Sequence, residues 1–186
     1  MKRFALGLAA AVTLTACGSS SHSTTDRTAC CGPSTTSTTA TASSVSLARG
    51  FSLTSPAFRE NGAIPKRYTC DGAGTPIPIR WSGVPRNARE LVLIMRDPDA
   101  PGAPFVHWAV AGISPRATTL NGISGRNSAG KTGYAPPCPP PGKPHHYVFT
   151  LNALSGPSNL KPGFTPDQLR TSAVGITTLV GTYARR

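Results

Sequence analysis

The sequence predicts one β-dominated domain, within the range from all-β to α+β. Gly and Pro each occur 19 times among the 186 residues, and these residues favour many turns between short strands. Charged residues make up only 14% of the chain and hydrophobic residues 38%. A chain of this length accommodates a single domain with appendages, because domains cluster at roughly 100 to 150 residues.

Short apolar runs separated by turn residues begin after residue 50, as expected for strands. The run at 91–95 is apolar without interruption, which is typical of a central strand covered on both faces. A short helix is predicted at 166–174, because Thr165 and Gln168 form a capping-box pattern and Pro166 suits the first helical position. The predicted strands are residues 51–55, 77–81, 91–96, 106–113, 146–154 and 176–183.

The first 16 residues predict an export signal. Lys2 and Arg3 precede a run of apolar and small residues that is too short to span a bilayer. The segment 14–17, Leu-Thr-Ala-Cys, resembles the bacterial lipobox, in which the peptide is cut before a Cys that carries lipid. We therefore expect a signal peptide at 1–16, a lipidated Cys17, and a protein that is exported to the cell envelope and anchored to the membrane. The alternative is an ordinary signal peptide cut elsewhere.

Residues 17–44 predict a lipidated Cys followed by a flexible tether, and residues 45–186 the folded domain. The segment 18–44 is nearly all Ser, Thr, Ala and Gly, without apolar periodicity that could bury a core. Without the signal the chain keeps 17 basic and 7 acidic residues, a net charge of +10. The cations are scattered and an exported protein meets little nucleic acid, so we expect no nucleic-acid partner and favour an anionic membrane surface.

The cysteines of the domain predict a disulfide. Cys70 and Cys138 both lie in Gly- or Pro-rich loops, and a disulfide persists outside the cytoplasm. Adjacent cysteines such as Cys30 and Cys31 rarely bridge one another, and their state is left open. A bridge between Cys70 and Cys138 requires Cα atoms within about 7 Å, which the sequence does not establish.

Two carboxylates follow the apolar run at 91–95. Prolines flank Asp97 and Asp99 and stiffen the loop that carries them. A rigid strand would therefore hold both acids at its end. Asp and Pro are also ordinary turn formers, so a solvated turn is the simpler explanation of this pair taken alone.

Histidines and a tyrosine add to these acids. His107 lies in an apolar strand, where alternation aims it opposite to its neighbours. The same alternation places His145 and Tyr147 on one face of their strand and His146 on the other. A lone strand histidine is more often structural, but acids, imidazoles and a phenol together form a cluster of the kind that orients a ligand in a pocket.

These segments together resemble the two diagnostic blocks of the phosphatidylethanolamine-binding protein family. They are 97–101 (Asp-Pro-Asp-Ala-Pro) and 106–108 (Val-His-Trp), then a Pro-rich loop and 145–147 (His-His-Tyr). The resemblance covers about residues 51–185. Its bacterial, Raf-kinase-inhibitor-like branch is matched further at 64–65, 68–72, 81–85, 131–134 and 181–183.

The resemblance implies a large antiparallel sheet packed on a smaller sheet, with a small cavity at one end. Such a cavity accepts an anion, for example a phosphate or a phosphorylated phospholipid headgroup. His146 stands where many relatives have Arg and is left out of the site. Residues 134–138 replace the Gly-rich start common in that loop, which leaves the ligand preference open. By matching positions, the lining would be Asp97, Asp99, His107, Pro137, His145 and Tyr147.

We therefore expect a binding protein rather than an enzyme. Ser124 and Ser128 lie in a Gly- and Asn-rich loop without a nucleophile-elbow pattern. The histidines and aspartates lack a recognised metal-binding spacing, so no metal or cofactor is expected. Two alternatives remain: a hydrolase that uses the Asp and His cluster, and an inhibitor that binds a protease or kinase, as some relatives do.

Overall fold

The computed structural model describes residues 50–186, so the signal peptide, Cys17, the whole tether and residues 45–49 of the predicted domain lie outside the described residues. Within that range no helix has the length and apolar character that spanning a bilayer requires. Two 3-10 turns lie at Lys66–Tyr68 and Pro166–Gln168. The strands are β1 (Ser52–Thr54), β2 (Gly62–Ala63), β3 (Arg80–Ser82), β4 (Glu90–Asp97), β5 (Phe105–Ile113), β6 (Ile123–Ser124), β7 (His145–Leu154) and β8 (Ala173–Tyr183).

These strands form a large sheet and a small one, which confirms the β-dominated fold. The large sheet has six strands in the order β2-β8-β7-β4-β5-β6, and β1 and β3 form the small one. All neighbours in the large sheet are antiparallel except β2, which runs parallel to β8. The sheet expected to be antiparallel is therefore mixed at one edge.

Strand β4 lies inside the large sheet, between β5 and β7. Leu91, Leu93 and Met95 belong to one hydrophobic core, while Val92 and Ile94 belong to a second core on the other face. The alternation of a strand therefore explains why the whole run is apolar. The same alternation places Asp97, the last residue of β4, on the face that carries Met95. The Asp97 side chain is buried there, at the end of a rigid strand.

The helix predicted at 166–174 is wrong in its length. Only Pro166–Gln168 forms a 3-10 turn, in which the Thr165 backbone N–H donates to Gln168 Oε1 at 2.8 Å. β8 already begins at Ala173, which pairs with Leu154. The capping signal is therefore real but local. A single turn does not repay the cost of helix nucleation, and the last two residues of the predicted helix instead join β8, which pairs with β7.

The first residue of β4 is a buried carboxylate that joins three segments. Glu90 Oε1 accepts the backbone N–H of Gly112 at 2.8 Å and the hydroxyl of Ser158 at 2.6 Å, and Oε2 accepts the backbone N–H of Ser158 at 2.7 Å. A buried carboxylate with several donors is stabilising only while each donor keeps its acceptor. Glu90 therefore fixes β4 to β5 and to the loop after β7.

Replacing Glu90 with Gln should lower the free energy of unfolding by about 3 kcal/mol. Gln has an NH₂ group in place of one carboxylate oxygen, and this group cannot accept a hydrogen bond, so one donor that binds Glu90 would lose its acceptor. A lost hydrogen bond to a charged group costs about 1.5 to 3 kcal/mol. Urea unfolding followed by circular dichroism measures the change. The matched control is Glu60→Gln, because the Glu60 carboxylate is exposed and accepts only the Val180 N–H, at 3.2 Å. An equal response of the two variants would contradict this role of Glu90.

Candidate ligand-binding site

Three strands of the large sheet bring polar residues together at one edge. β4 ends at Asp97, and its antiparallel neighbours β5 and β7 begin there, at Phe105 and His145. Asp97 pairs with Phe105 in the register of β4 and β5. Three strands therefore end or begin at this edge, and each carries a polar side chain at a position predicted from the sequence.

A cavity of about 360 Å³ lies at this edge. Asp97, His107 and His145 supply its polar side chains, and the loops that follow β4 and precede β7 supply most of its walls. The remaining lining is largely apolar: Ala100, Pro101, Phe105, Ala129, Ala135, Pro136, Pro139 and Pro140, together with Cys138. An apolar cavity with a few convergent polar groups is the usual form of a small-molecule site.

Asp97 and His145 form a buried pair. The Asp97 side chain is only 5% exposed and its Oδ2 lies 2.8 Å from His145 Nδ1. Oδ1 of the same carboxylate accepts the backbone N–H of Asp99 at 2.8 Å. Both carboxylate oxygens are therefore engaged, and the His145 ring is oriented by its Nδ1 atom. Nε2 is the ring nitrogen that remains for a ligand.

His107 is oriented in the same way by a backbone carbonyl. Its Nδ1 lies 2.9 Å from the carbonyl oxygen of Ala135, so Nδ1 donates and Nε2 is an acceptor in the neutral ring. The ring packs against Phe105, with centroids 4.7 Å apart, and edge-on against Tyr147 at 5.2 Å. Burial lowers the pKa of His107 below its ordinary value, so the neutral ring is favoured near pH 7.

Pro137 and Tyr147 lie behind the lining rather than in it. Both are fully buried, and the Pro137 carbonyl accepts the backbone N–H of Cys70 at 3.0 Å. The Tyr147 hydroxyl is buried without a hydrogen-bond partner among the described residues. Burial raises the pKa of Tyr147, and the charge of Asp97 adds to the effect. Tyr147 therefore supports the His107 ring from behind.

Asp99 lies outside the cavity and forms hydrogen bonds with His146, which was not expected to line the site. Its Oδ2 accepts the backbone N–H of His146 at 2.7 Å and lies 2.8 Å from the His146 ring Nδ1. The backbone hydrogen bond is the main cause of a lowered pKa of Asp99. This contact holds the loop after β4 against the start of β7. A separation of 47 residues leaves no local pattern from which it could be predicted.

A disulfide forms part of the cavity wall. The structure joins Cys70 to Cys138, whose Cα atoms are 5.3 Å apart, within the range that a bridge requires. Cys138 is a lining residue of the cavity, while Cys70 follows the 3-10 turn Lys66–Tyr68. The bridge therefore links the Pro-rich wall of the site to a distant part of the chain.

The fold and this edge define a class of protein: a two-sheet domain with a cavity at the strand ends, built on oriented histidines and a buried aspartate. Comparison with known proteins places the chain within that class. The family model described as phosphatidylethanolamine-binding protein matches residues 54–184. The chain belongs to the phosphatidylethanolamine-binding protein family.

Curated relatives share this domain. A UPF0098 protein of Methanothermobacter thermautotrophicus is 37% identical over 151 residues, which cover 73% of this chain and 99% of the relative. A putative lipoprotein, LppC, of Mycobacterium tuberculosis is 40% identical over 148 residues, and the match covers 73% of each chain.

Solved structures agree with the fold. A putative phosphatidylethanolamine-binding protein homolog, CT736, from Chlamydia trachomatis superposes with a TM-score of 0.70 at 36% identity, over 74% of this chain and 99% of that one. YbcL of E. coli, described as a new member of the mammalian family, superposes with a TM-score of 0.68 at 26% identity and the same coverage. The fold of this domain is therefore similar to that of both structures.

Proposed function

We propose that the protein is an exported, lipid-anchored binding protein whose cavity takes a small ligand bearing a phosphate, free or as part of a headgroup, and leaves it chemically unchanged. The observation that carries the proposal is the matched orientation of His107 and His145. Each ring has Nδ1 held by a fixed oxygen and Nε2 left without a partner among the described residues. Two such nitrogens at an apolar cavity can bind neighbouring oxygens of one ligand.

The protonation of His107 decides which ligands can bind. Its neutral ring offers an acceptor at Nε2, so a ligand oxygen can bind there only if one proton lies between the two atoms. Either the ring takes up that proton, or the ligand brings it as a P–OH group. In both cases acid favours the complex: in the first because burial lowers the pKa of His107 and leaves the free ring neutral, and in the second because acid keeps the phosphate protonated. Binding should therefore strengthen as the pH falls through the imidazole range.

The carboxylate of Asp97 does not prevent an anion from binding. Its charge is offset by two donors, the His145 ring and the Asp99 backbone N–H, at 2.8 Å each. A carboxylate that is already hydrogen-bonded repels a nearby anion less than an unpartnered one. Its role in this proposal is to orient His145, whereas the ligand contacts the imidazoles.

Replacing His145 with Gln should weaken phosphate binding by about 1.5 to 3 kcal/mol, the usual loss for a hydrogen bond to a charged group. Calorimetric titration with inorganic phosphate and with phosphoethanolamine, repeated across the imidazole pH range, measures the affinity. The matched control is His146→Gln, because the His146 ring is exposed and faces Asp99 outside the cavity. Equal affinities of the wild type and both variants would refute the site, and turnover of phosphoethanolamine seen by phosphorus NMR would refute binding without chemistry.

Lipid anchoring of the same protein is supported by two independent features. The lipobox-like segment 14–17 follows a short apolar run at the start of the chain, and one relative is described as a putative lipoprotein. A tether between Cys17 and the domain would let the cavity stand clear of the membrane. The protein would then bind its ligand at the surface of a cell membrane.

A further inference from the structure

A second cleft lies next to the end of the Pro-rich loop, at Pro144. Its volume is about 650 Å³, and it shares no lining residue with the ligand cavity. Pro139 and Pro140 contact the ligand cavity, while Pro144 of the same loop lines the cleft. The charged side chains that line it are Lys66, Asp71 and Arg186. We call this region the basic cleft.

The one carboxylate of the basic cleft is already fully engaged. Asp71 Oδ2 accepts the Tyr183 hydroxyl at 2.6 Å, and Oδ1 accepts Arg185 Nε at 3.2 Å. The Tyr183 hydrogen bond is the largest cause of a lowered pKa of Asp71, and the charges of Arg185 and Lys66 lower it further. Asp71 therefore stays ionised and balances one of the neighbouring cations.

No other acidic side chain among the described residues pairs with Lys66 or Arg186. Within residues 50–186, the only ion pair at this cleft is the one between Arg185 and Asp71. The other five acids of that range make their contacts elsewhere: Glu60 with Val180, Glu90 with Gly112 and Ser158, Asp97 with His145, Asp99 with His146, and Asp167 with Thr165. Lys66 and Arg186 therefore leave the basic cleft with an excess of two side-chain positive charges.

Arg185 is not a lining residue of the cleft, but it contacts the lining residue Asp71. Its Nε is held by Asp71, and its two Nη groups make no hydrogen bond with the described residues. A guanidinium fixed on one side can donate two parallel hydrogen bonds to the oxygens of a phosphate on the other. Lys66 and Arg186, which line the cleft together with Asp71, supply additional positive charge.

We propose that the basic cleft is a second anion-binding site, which takes a phosphate group from an anionic lipid headgroup or from a free phosphate-bearing molecule. The site does not depend on the histidine cavity, because the two share no residue. Occupation by a lipid headgroup would hold the Pro-rich wall of the ligand cavity against the membrane. Occupation by a free molecule would add a second small-ligand site to the domain.

Vesicle binding tests the lipid source. The full chain carrying Cys17→Ala, which removes the acylation site, is incubated with phosphatidylcholine vesicles with and without phosphatidylglycerol, and the neutral vesicles measure binding that does not depend on charge. Removing both cations, by Lys66→Gln and Arg186→Gln, should weaken binding to the anionic vesicles by about fivefold for each cation, the equivalent of about 1 kcal/mol. The control pair, Arg86→Gln and Lys161→Gln, makes the same change in net charge at exposed positions of two other surface pockets.

Amide NMR titration with pyrophosphate tests the free source in the same proteins. Shifts at residues 66, 71 and 185 that disappear in the Lys66 and Arg186 double variant would identify a free phosphate ligand. A dependence on Lys66 and Arg186 that appears only in the vesicle experiment would identify a headgroup. Losses of equal size in the control pair, or no dependence on Lys66 and Arg186 in either experiment, would overturn the proposal. His145→Gln should leave both results unchanged, so failure of the histidine site is distinguishable from failure of this one.

Discussion

Replacing Cys70 and Cys138 with Ser should lower the free energy of unfolding by about 4 kcal/mol on the chain-entropy account of disulfides. The bridge closes a long loop, since the two residues are 68 apart in sequence. Breaking it gives the unfolded chain more conformations while the folded chain keeps its other contacts, among them the hydrogen bond from Cys70 N–H to the Pro137 carbonyl. The midpoint of urea unfolding should therefore fall steeply in the double variant.

A reductant provides the control for this prediction. Reduced wild-type protein should unfold like the double Ser variant, and the variant itself should not respond to the reductant. Protein exported by its own signal should show the bridge as a mass two hydrogens lower than that of the reduced protein. Equal unfolding midpoints of the oxidised and reduced wild type would contradict a stabilising bridge.

Replacing Cys17 with Ala should move the protein from the membrane fraction to the soluble fraction, or leave it unprocessed. One acyl chain binds a membrane only marginally, whereas two chains hold it firmly, at about 0.8 kcal/mol for each buried CH₂ group. Cell fractionation with an alkaline wash, followed by mass spectrometry of the N-terminal peptide, measures the change. Cys30→Ala is the control, because it removes a thiol from the same segment without touching the lipobox. Soluble wild-type protein with an unmodified Cys17 would refute the anchor.

The parts of the fold that were predicted correctly are those with a strong local pattern. The apolar run at 91–95 and the largely apolar segment around His107 became the long strands β4 and β5, with ends shifted by one residue. β2 and β6 have two residues each and were missed, because a pair of residues shows no period. They exist only because β8 and β5 offer them hydrogen-bond partners, and those partners are distant in sequence.

The candidate site was likewise predicted where local motifs carry it and missed where a contact joins residues far apart in sequence. The family resemblance assigned Asp97, His107 and His145 to the cavity lining, and the structure brings all three there. Tyr147 lies in the layer behind this lining, and neither the resemblance nor strand parity distinguishes the two layers. The pairing of Asp99 with His146 depends on how the loop after β4 folds, which no local spacing encodes.

The proline content of the cavity wall bears on how a ligand would be selected. Five prolines at 136, 137 and 139–141 each fix one backbone torsion, and the disulfide at Cys138 holds their segment from the other side. Such a wall has little conformational freedom to lose when a ligand enters. It also has little capacity to reshape itself around a larger one. Selection at this cavity would therefore act by exclusion, with the size of the opening fixed before the ligand arrives.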